Sequence, residues 1–228
     1  MPACLPRRGL YVITPDEPDI GRLLAKVTPV LQAGAKVLQY RNKQATPRLR
    51  ELQALALLEV CQRHDAVLIV NDDWHLAAAV GAGGVHLGRA DGGVAAARKA
   101  LGPAAIVGAS CYDDIGLAPD ARDHGASYVA FGAFYPSPTK PFAPRAPLHL
   151  LQESAALGIP RVAIGGITPD NGRALLAAGA DFLAVISGVF NAPDPAAATR
   201  AYLACFDPPL TATASDEDRP LAPLVHPR

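Results

Sequence analysis

The sequence predicts an α/β fold, a single-domain (β/α)8 TIM barrel, and three observations predict it. Eight short apolar or β-branched runs recur along the chain, separated by Ala- and Leu-rich stretches. Most of those stretches are long enough for a helix to cross back over a parallel sheet. Polar residues collect just after the runs, where the C-terminal strand ends of a closed barrel build a site. An open doubly wound sheet is the competing arrangement. It usually begins with a glycine-rich dinucleotide loop, whereas here the first run leads into Thr14-Pro15-Asp16-Glu17.

The first strand is read at residues 10–13 and the second at 37–39, with Gly34 placed to end the helix between them. Arg48, Leu52, Leu55, Leu58 and Glu59 have helical spacing before the third strand, at 67–70. The interval to the fourth strand, at 85–87, is short, so its helix around residues 76–80 has only a few turns. The fifth strand lies at 106–108 and the sixth at 128–131, after a helix stopped by Gly125. Gly158 closes the next helix before the seventh strand, at 162–164. Ala174, Leu175 and Ala178 mark a helix ended by Gly179, and the eighth strand runs over 182–186. The barrel thus covers residues 9–206, behind an N-terminal extension of residues 1–8. From residue 207 to 228 the composition turns to Pro, Thr, Ser and Asp with little apolar periodicity, which predicts a disordered tail.

Bulk properties narrow the partners. Lys+Arg and Asp+Glu both number 21, and a formal net charge of zero gives no electrostatic reason to expect nucleic acid or an anionic membrane. Cys4, Cys61, Cys111 and Cys205 are far apart and form no CxxC pair, which suits a reducing compartment rather than a disulfide framework or a zinc site. No signal-type apolar region follows the first eight residues, and no apolar stretch approaches the roughly 20 residues of a membrane span. These features predict a cytoplasmic enzyme of small-molecule substrates, and they leave homo-oligomerisation open.

The strand ends carry the chemistry. After the second strand comes Gln39-Tyr40-Arg41-Asn42-Lys43, where alternation puts an amide and two cations on one side. Asn71-Asp72-Asp73 follows the third strand, and Asp91 follows the fourth. Carboxylates on neighbouring strand ends suit Mg²⁺, although each could instead cap the helix after it. Asp73 is the better cap, which leaves Asp72 for the metal. His86 is read as either a packed core histidine or a site member. Ser110 follows the fifth strand, and Ser137-Pro138-Thr139-Lys140 follows the sixth. Gly165-Gly166 after the seventh and Ser187-Gly188 after the eighth occupy the recurrent phosphate position of this fold. The residues alone therefore imply two anion sites in one mouth.

Taken together, the pieces from Gly9 to Phe206 resemble the thiamine phosphate synthase family. The resemblance is carried by Gly9-Leu10-Tyr11-Val12-Ile13-Thr14, Gln39-Tyr40-Arg41-Asn42-Lys43, Ile69-Val70-Asn71-Asp72 and Gly84-Val85-His86-Leu87-Gly88. It continues through Gly108-Ala109-Ser110, Phe131-Gly132-Ala133-Phe134, Ser137-Pro138-Thr139-Lys140, Ala163-Ile164-Gly165-Gly166-Ile167 and Ala184-Val185-Ile186-Ser187. It implies a dissociative, Mg²⁺-assisted substitution in which an aminopyrimidine methyl diphosphate loses pyrophosphate and is captured by a thiazole phosphate. Gln39, Tyr40, Arg41, Asn42, Lys43, Asn71, Ser110 and Lys140 would bind the diphosphate substrate, with Ser110, Lys140, Arg41 and Lys43 acting in catalysis. Asp72 and Asp91 would hold Mg²⁺. Ser137, Pro138, Thr139, Gly166, Ile186 and Ser187 would bind the thiazole phosphate.

Two departures stand out. The family often has Thr-x-Thr-Lys where this chain has Ser137-Pro138-Thr139-Lys140, and Ser-x-His-Asp where it has Ser110-Cys111-Tyr112-Asp113. A related barrel isomerises the thiazole carboxylate, an activity associated with a histidine at the position of Ala133. A regulatory phosphate-binding barrel is a further alternative, but it would need no second anion site.

Overall fold

The computed structural model describes residues 5–136 and 144–207. Residues 1–4, Ser137, Pro138, Thr139 and Lys140, and nearly all of the expected tail lie outside the described residues. Eight parallel strands close into a barrel in sequence order, and β8 pairs back on β1 through Leu10↔Leu183 and Tyr11↔Ala184. The order is β1 (Gly9–Ile13), α1 (Ile20–Gln32), β2 (Val37–Tyr40), α2 (Pro47–Arg63), β3 (Val67–Asn71), α3 (Trp74–Val80) and β4 (Gly84–Leu87). It continues with α4 (Val94–Leu101), β5 (Ile106–Tyr112), α5 (Leu117–Asp123), β6 (Tyr128–Phe131) and α6 (His149–Glu153). A 3-10 turn at Ser154–Leu157 leads to β7 (Arg161–Ile164), α7 (Pro169–Ala177), β8 (Phe182–Val185), α8 (Ser187–Phe190) and α9 (Pro195–Leu203).

Period-two alternation sorts the core into two shells. Inward-facing Tyr11, Val37, Ile69, Ile106, Tyr128, Val162 and Phe182 fill the barrel. Outward-facing Leu10, Val12, Leu38, Tyr40 and Leu68 pack against the helices, with Leu23, Val27, Leu57 and Leu175 among their partners. Polar caps set where helices begin. Thr46 accepts from the Leu49 N–H ahead of Pro47, and Asp194 accepts from the Ala197 N–H ahead of Pro195. Thr168 and Asn171 form a reciprocal capping box on α7, which fixes the exit angle of the β7 turn. Gly34, Gly125, Gly158 and Gly179 all have positive φ, as helix stops require.

Three details differ from the sequence reading. The buried face of α2 is Gln53, Ala54, Leu57, Val60 and Cys61, while Leu52 and Leu55, which set the apparent period, are exposed. Buried Gln53 explains the offset: it lies against Tyr40, Asn42 and the Glu17 carbonyl through hydrogen bonds that a hydrophobic count does not register. The eighth strand stops at Val185, one residue early, because the backbone turns at Ile186 (φ −118°, ψ −83°) to start α8. That short helix precedes α9, so two helices rather than one follow the last strand.

Candidate active site

A cavity of about 640 Å³ opens at the C-terminal ends of the strands and takes lining residues from all eight of them or from the loops that follow. Gln39, Arg41 and Lys43 share one side of it, as alternation predicts. Asp16, just after β1, fixes this segment: its Oδ1 accepts from the Lys43 N–H at 2.9 Å and from the Arg41 guanidinium at 3.2 Å. Thr14 Oγ1 donates to the Arg41 carbonyl at 2.8 Å and accepts the Arg41 N–H at 2.9 Å. The preceding strand end therefore holds the Arg41 guanidinium and the backbone of Lys43 in place.

Tyr40 and Asn42 face another way. The expectation placed both in the diphosphate set, but alternation turns their side chains away from Gln39, Arg41 and Lys43. The Tyr40 hydroxyl donates to Gln53 Oε1 at 2.8 Å, and Asn42 Nδ2 donates to the Glu17 carbonyl and to Gln53 Oε1. Both border a smaller pocket of about 280 Å³, behind Lys43 and Asp72.

The carboxylates gather beside the cations. Asp73 caps α3, accepting from the Leu76 N–H at 2.9 Å, and so leaves Asp72 free of that task. Asp72 has φ +65°, an uncommon conformation for a residue with a side chain. Its carboxylate is 3.3 Å from Lys43 Nζ. Asp91 does not cap α4, whose N-cap is Gly93; its Oδ2 instead accepts the Gly88 N–H at 2.6 Å. Burial and the neighbouring Asp72 carboxylate push the Asp91 pKa up, against the pull of the Gly88 N–H and Lys43. Two close carboxylates form a hard oxygen set suited to a divalent cation that keeps other ligands for itself. Among the described residues no group of three or more His, Cys, Asp or Glu side chains offers a fuller set. Tyr112 stands where the family often has histidine. Its hydroxyl accepts the Arg89 N–H at 3.2 Å and its ring lies under the Arg89 guanidinium, so it braces the loop that carries Asp91.

The floor of the cavity is polar and connected. Buried Gln39 donates from Nε2 to the Tyr11 hydroxyl at 2.9 Å, and the Tyr11 and Tyr128 hydroxyls are 2.8 Å apart. Tyr128 is bonded at 2.9 Å to His86 Nδ1, and His86 Nε2 lies 2.9 Å from Ser110 Oγ. Burial lowers the His86 pKa to about 4, so the ring is neutral near pH 7, and it raises those of Tyr11 and Tyr128. His86 is thus a member of the site. Tyr11 and Tyr128 were missed by the sequence reading, because a lone tyrosine on a strand is indistinguishable from core; Asp16 was seen only as a loop residue.

The opposite rim is backbone. Gly165 (φ +103°) and Gly166 (φ +62°) turn the chain after β7, and Ile186, Ser187 and Gly188 complete the lining. A Cβ on Gly166 would meet the carbonyls of Tyr135 and Pro136, so the loop after β6 already requires glycine there, whatever the ligand. Ala133 lines the cavity with a methyl group. Asn71 and Ser110 also line it, so Gln39, Arg41, Lys43, Asn71, Asp72, Asp91, Ser110, Gly166, Ile186 and Ser187 come together.

The comparisons with known proteins agree with the fold. The profile of the family described as thiamine monophosphate synthase matches residues 10–189. The chain is 56% identical over 206 residues to a thiamine-phosphate synthase of Xanthomonas campestris pv. campestris, covering 90% of this chain and 99% of that one. It is 52% identical over 202 residues to the thiamine-phosphate synthase of Methylobacillus flagellatus, covering 89% and 97%. Among solved structures, a thiamine phosphate pyrophosphorylase from Pyrococcus furiosus superposes with a TM-score of 0.78 at 34% identity, over 87% of this chain and 95% of that one.

Proposed function

The chain belongs to the thiamine monophosphate synthase family, and we propose that it joins 4-amino-2-methyl-5-(diphosphooxymethyl)pyrimidine to a thiazole or carboxythiazole ethyl phosphate, releasing thiamine phosphate and pyrophosphate, with CO2 as a further product when the thiazole carries the carboxylate. One observation carries the reading at this site. A single cavity has cations and carboxylates on one rim and a glycine turn on the other. Two phosphorylated substrates need two anion sites whose organic ends can meet, and Ile164 and Ile186 supply apolar surface in the same cavity.

In the reaction the bond from the pyrimidine methylene carbon to the diphosphate oxygen breaks, and its electron pair leaves with pyrophosphate. The methylene carbon then forms its new bond with the lone pair of the thiazole nitrogen. Negative charge grows on the leaving group, so Arg41 and Lys43 favour the transition state over the bound substrate. Lys140 is assigned the same task, and Ser137, Pro138 and Thr139 a place against the thiazole phosphate. Asp72 and Asp91 would hold Mg²⁺, which would neutralise charge on the diphosphate when bound. Asn71 offers an amide donor and acceptor to the pyrimidine, Gln39 offers its amide oxygen, and Ser110 lies on the same floor. No general base is required, because the thiazole nitrogen already carries its lone pair. Gly166, Ile186 and Ser187 would seat the thiazole phosphate. The reading makes the protein a cytoplasmic transferase of small molecules; among the described residues no helix is long and apolar enough to cross a membrane. The isomerase alternative has no counterpart for its histidine, since Ala133 occupies that position.

The test is a coupling assay with both substrates and purified protein, in Mg²⁺ or in excess EDTA, with thiamine phosphate and pyrophosphate both quantified. Equal amounts of the two products, formed only with Mg²⁺, are expected. Absence of product with Mg²⁺ would overturn the activity, and an unchanged rate in EDTA would overturn the metal.

A further inference from the structure

Gln39 on β2 and Ser110 on β5 are joined by an unbroken chain of hydrogen bonds through Tyr11, Tyr128 and His86. The chain links residues on five strands, β2, β1, β6, β4 and β5, and the fold makes room for it. Tyr128 on β6 reaches His86 on β4 by lying over Gly108 of β5, where a Cβ would collide with the tyrosine ring. The His86 and Tyr128 rings are nearly parallel, 13° apart with centroids at 5.6 Å.

The direction of the protons follows from one fixed donor. Gln39 Nε2 can only donate, so the Tyr11 oxygen accepts from it. Among the described residues the Tyr11 hydroxyl bonds only to Gln39 and Tyr128, so its own proton is satisfied only by pointing at Tyr128. The reverse arrangement would leave that buried proton without an acceptor, which is costly. Tyr128 then donates to His86 Nδ1, and a neutral His86 carries its proton on Nε2 and donates to Ser110 Oγ. The Ser110 proton is left for the cavity.

We propose that Tyr11, Tyr128 and His86 are positioning residues that lock His86 as the Nε2–H tautomer and so present Ser110 to the bound pyrimidine diphosphate as a hydrogen-bond donor. The same relay holds the Gln39 amide with its nitrogen on Tyr11, which leaves Oε1 to accept from the substrate. The amide and the hydroxyl thereby acquire opposite, fixed polarities from one set of buried groups. The benefit to the reaction rests on the coupling activity proposed above; the tautomer does not.

The experiment reads both. Long-range ¹H–¹⁵N NMR of the ligand-free protein, with the His86 signals assigned by their loss in His86→Gln, should show a protonated Nε2 and an unprotonated Nδ1. In Tyr128→Phe the Nδ1 acceptor loses its donor, so the Nδ1–H tautomer should become populated. That variant's kcat should fall about tenfold or more, while the thiazole phosphate KM changes less than twofold. His86→Gln, which keeps a donor toward Ser110, should retain more activity than His86→Leu. An Nδ1–H tautomer in the unsubstituted protein would overturn the relay even if the enzyme is fully active. A tautomer change in Tyr128→Phe with unchanged kcat would overturn its role in the reaction. Lack of coupling by the unsubstituted protein would count against the proposed activity alone.

Discussion

The Tyr128 hydroxyl lies 2.9 Å from His86 Nδ1 although a whole strand separates the two residues, and it does so because residue 108 between them has no side chain. A glycine inside a strand usually weakens it, so its presence here has a packing reason. Adding a Cβ forces the tyrosine ring to move, and overpacking of this kind typically costs about 1–3 kcal/mol. Gly108→Ala should accordingly lower the urea midpoint by that equivalent and disrupt the Tyr128–His86 bond. A variant of unchanged stability with the His86 ¹⁵N shifts of the parent protein would show that the ring has room to spare.

Burial of His86 makes stability depend on pH. The unfolded imidazole takes a proton near pH 6.5, whereas the folded one resists until about 4. Between those values the unfolded state holds more protons, so unfolding becomes easier as pH falls from 6.5 toward 4, and the contribution is fully present above 6.5. His86→Gln should show a shallower loss of unfolding free energy over that window. Parallel slopes for the two proteins would mean that the folded ring titrates normally.

Asp72→Asn and Asp91→Asn should each lose most activity at limiting Mg²⁺, because each removes one of two adjacent carboxylates beside Lys43. Asp91 ties down its own loop through the Gly88 N–H, which an Asn oxygen can still accept, so neither variant should melt far from the parent. Full turnover of either variant at limiting Mg²⁺ would remove that residue from the metal site.

Tyr112→Phe removes the hydroxyl that accepts the Arg89 N–H, while the ring remains for the guanidinium. Since Gly88 and Asp91 sit on the same loop, the apparent Mg²⁺ requirement should rise by about two- to fivefold with little change in melting temperature, equivalent to a hydrogen bond worth about 0.5–1 kcal/mol. An unchanged Mg²⁺ dependence would confine Tyr112 to the protein surface.

Much of this was legible in the sequence, for physical reasons that vary by residue. The barrel followed from eight apolar runs and from glycines placed as helix stops, both of which are local signals. Gln39, Arg41 and Lys43 could be grouped because a strand alternates with period two, and the same rule turns the Tyr40 and Asn42 side chains away from them. Treating those five residues as one block carried the two outward-facing side chains along with the inward ones. Tyr11 and Tyr128 were not legible, since a hydroxyl network closing across a barrel is set by which strands end up opposite, information that no local pattern contains. The α2 face was misjudged because Leu52 and Leu55 have the spacing of a buried stripe, whereas buried Gln53 is satisfied by partners distant in the chain.

The measurement that bears most directly on the division of the mouth into two anion sites is steady-state kinetics of both substrates in two variants on opposite rims. Arg41→Ala should lower kcat and raise KM for the pyrimidine diphosphate while the thiazole phosphate KM stays within about twofold. Ser187→Asp, which places a negative charge beside the glycine turn, should raise the thiazole phosphate KM about tenfold or more and leave the diphosphate KM nearly unchanged, tenfold corresponding to about 1.4 kcal/mol. If Ser187→Asp selectively weakened the diphosphate substrate and Arg41→Ala the thiazole phosphate, the two substrates would have to exchange places in this barrel.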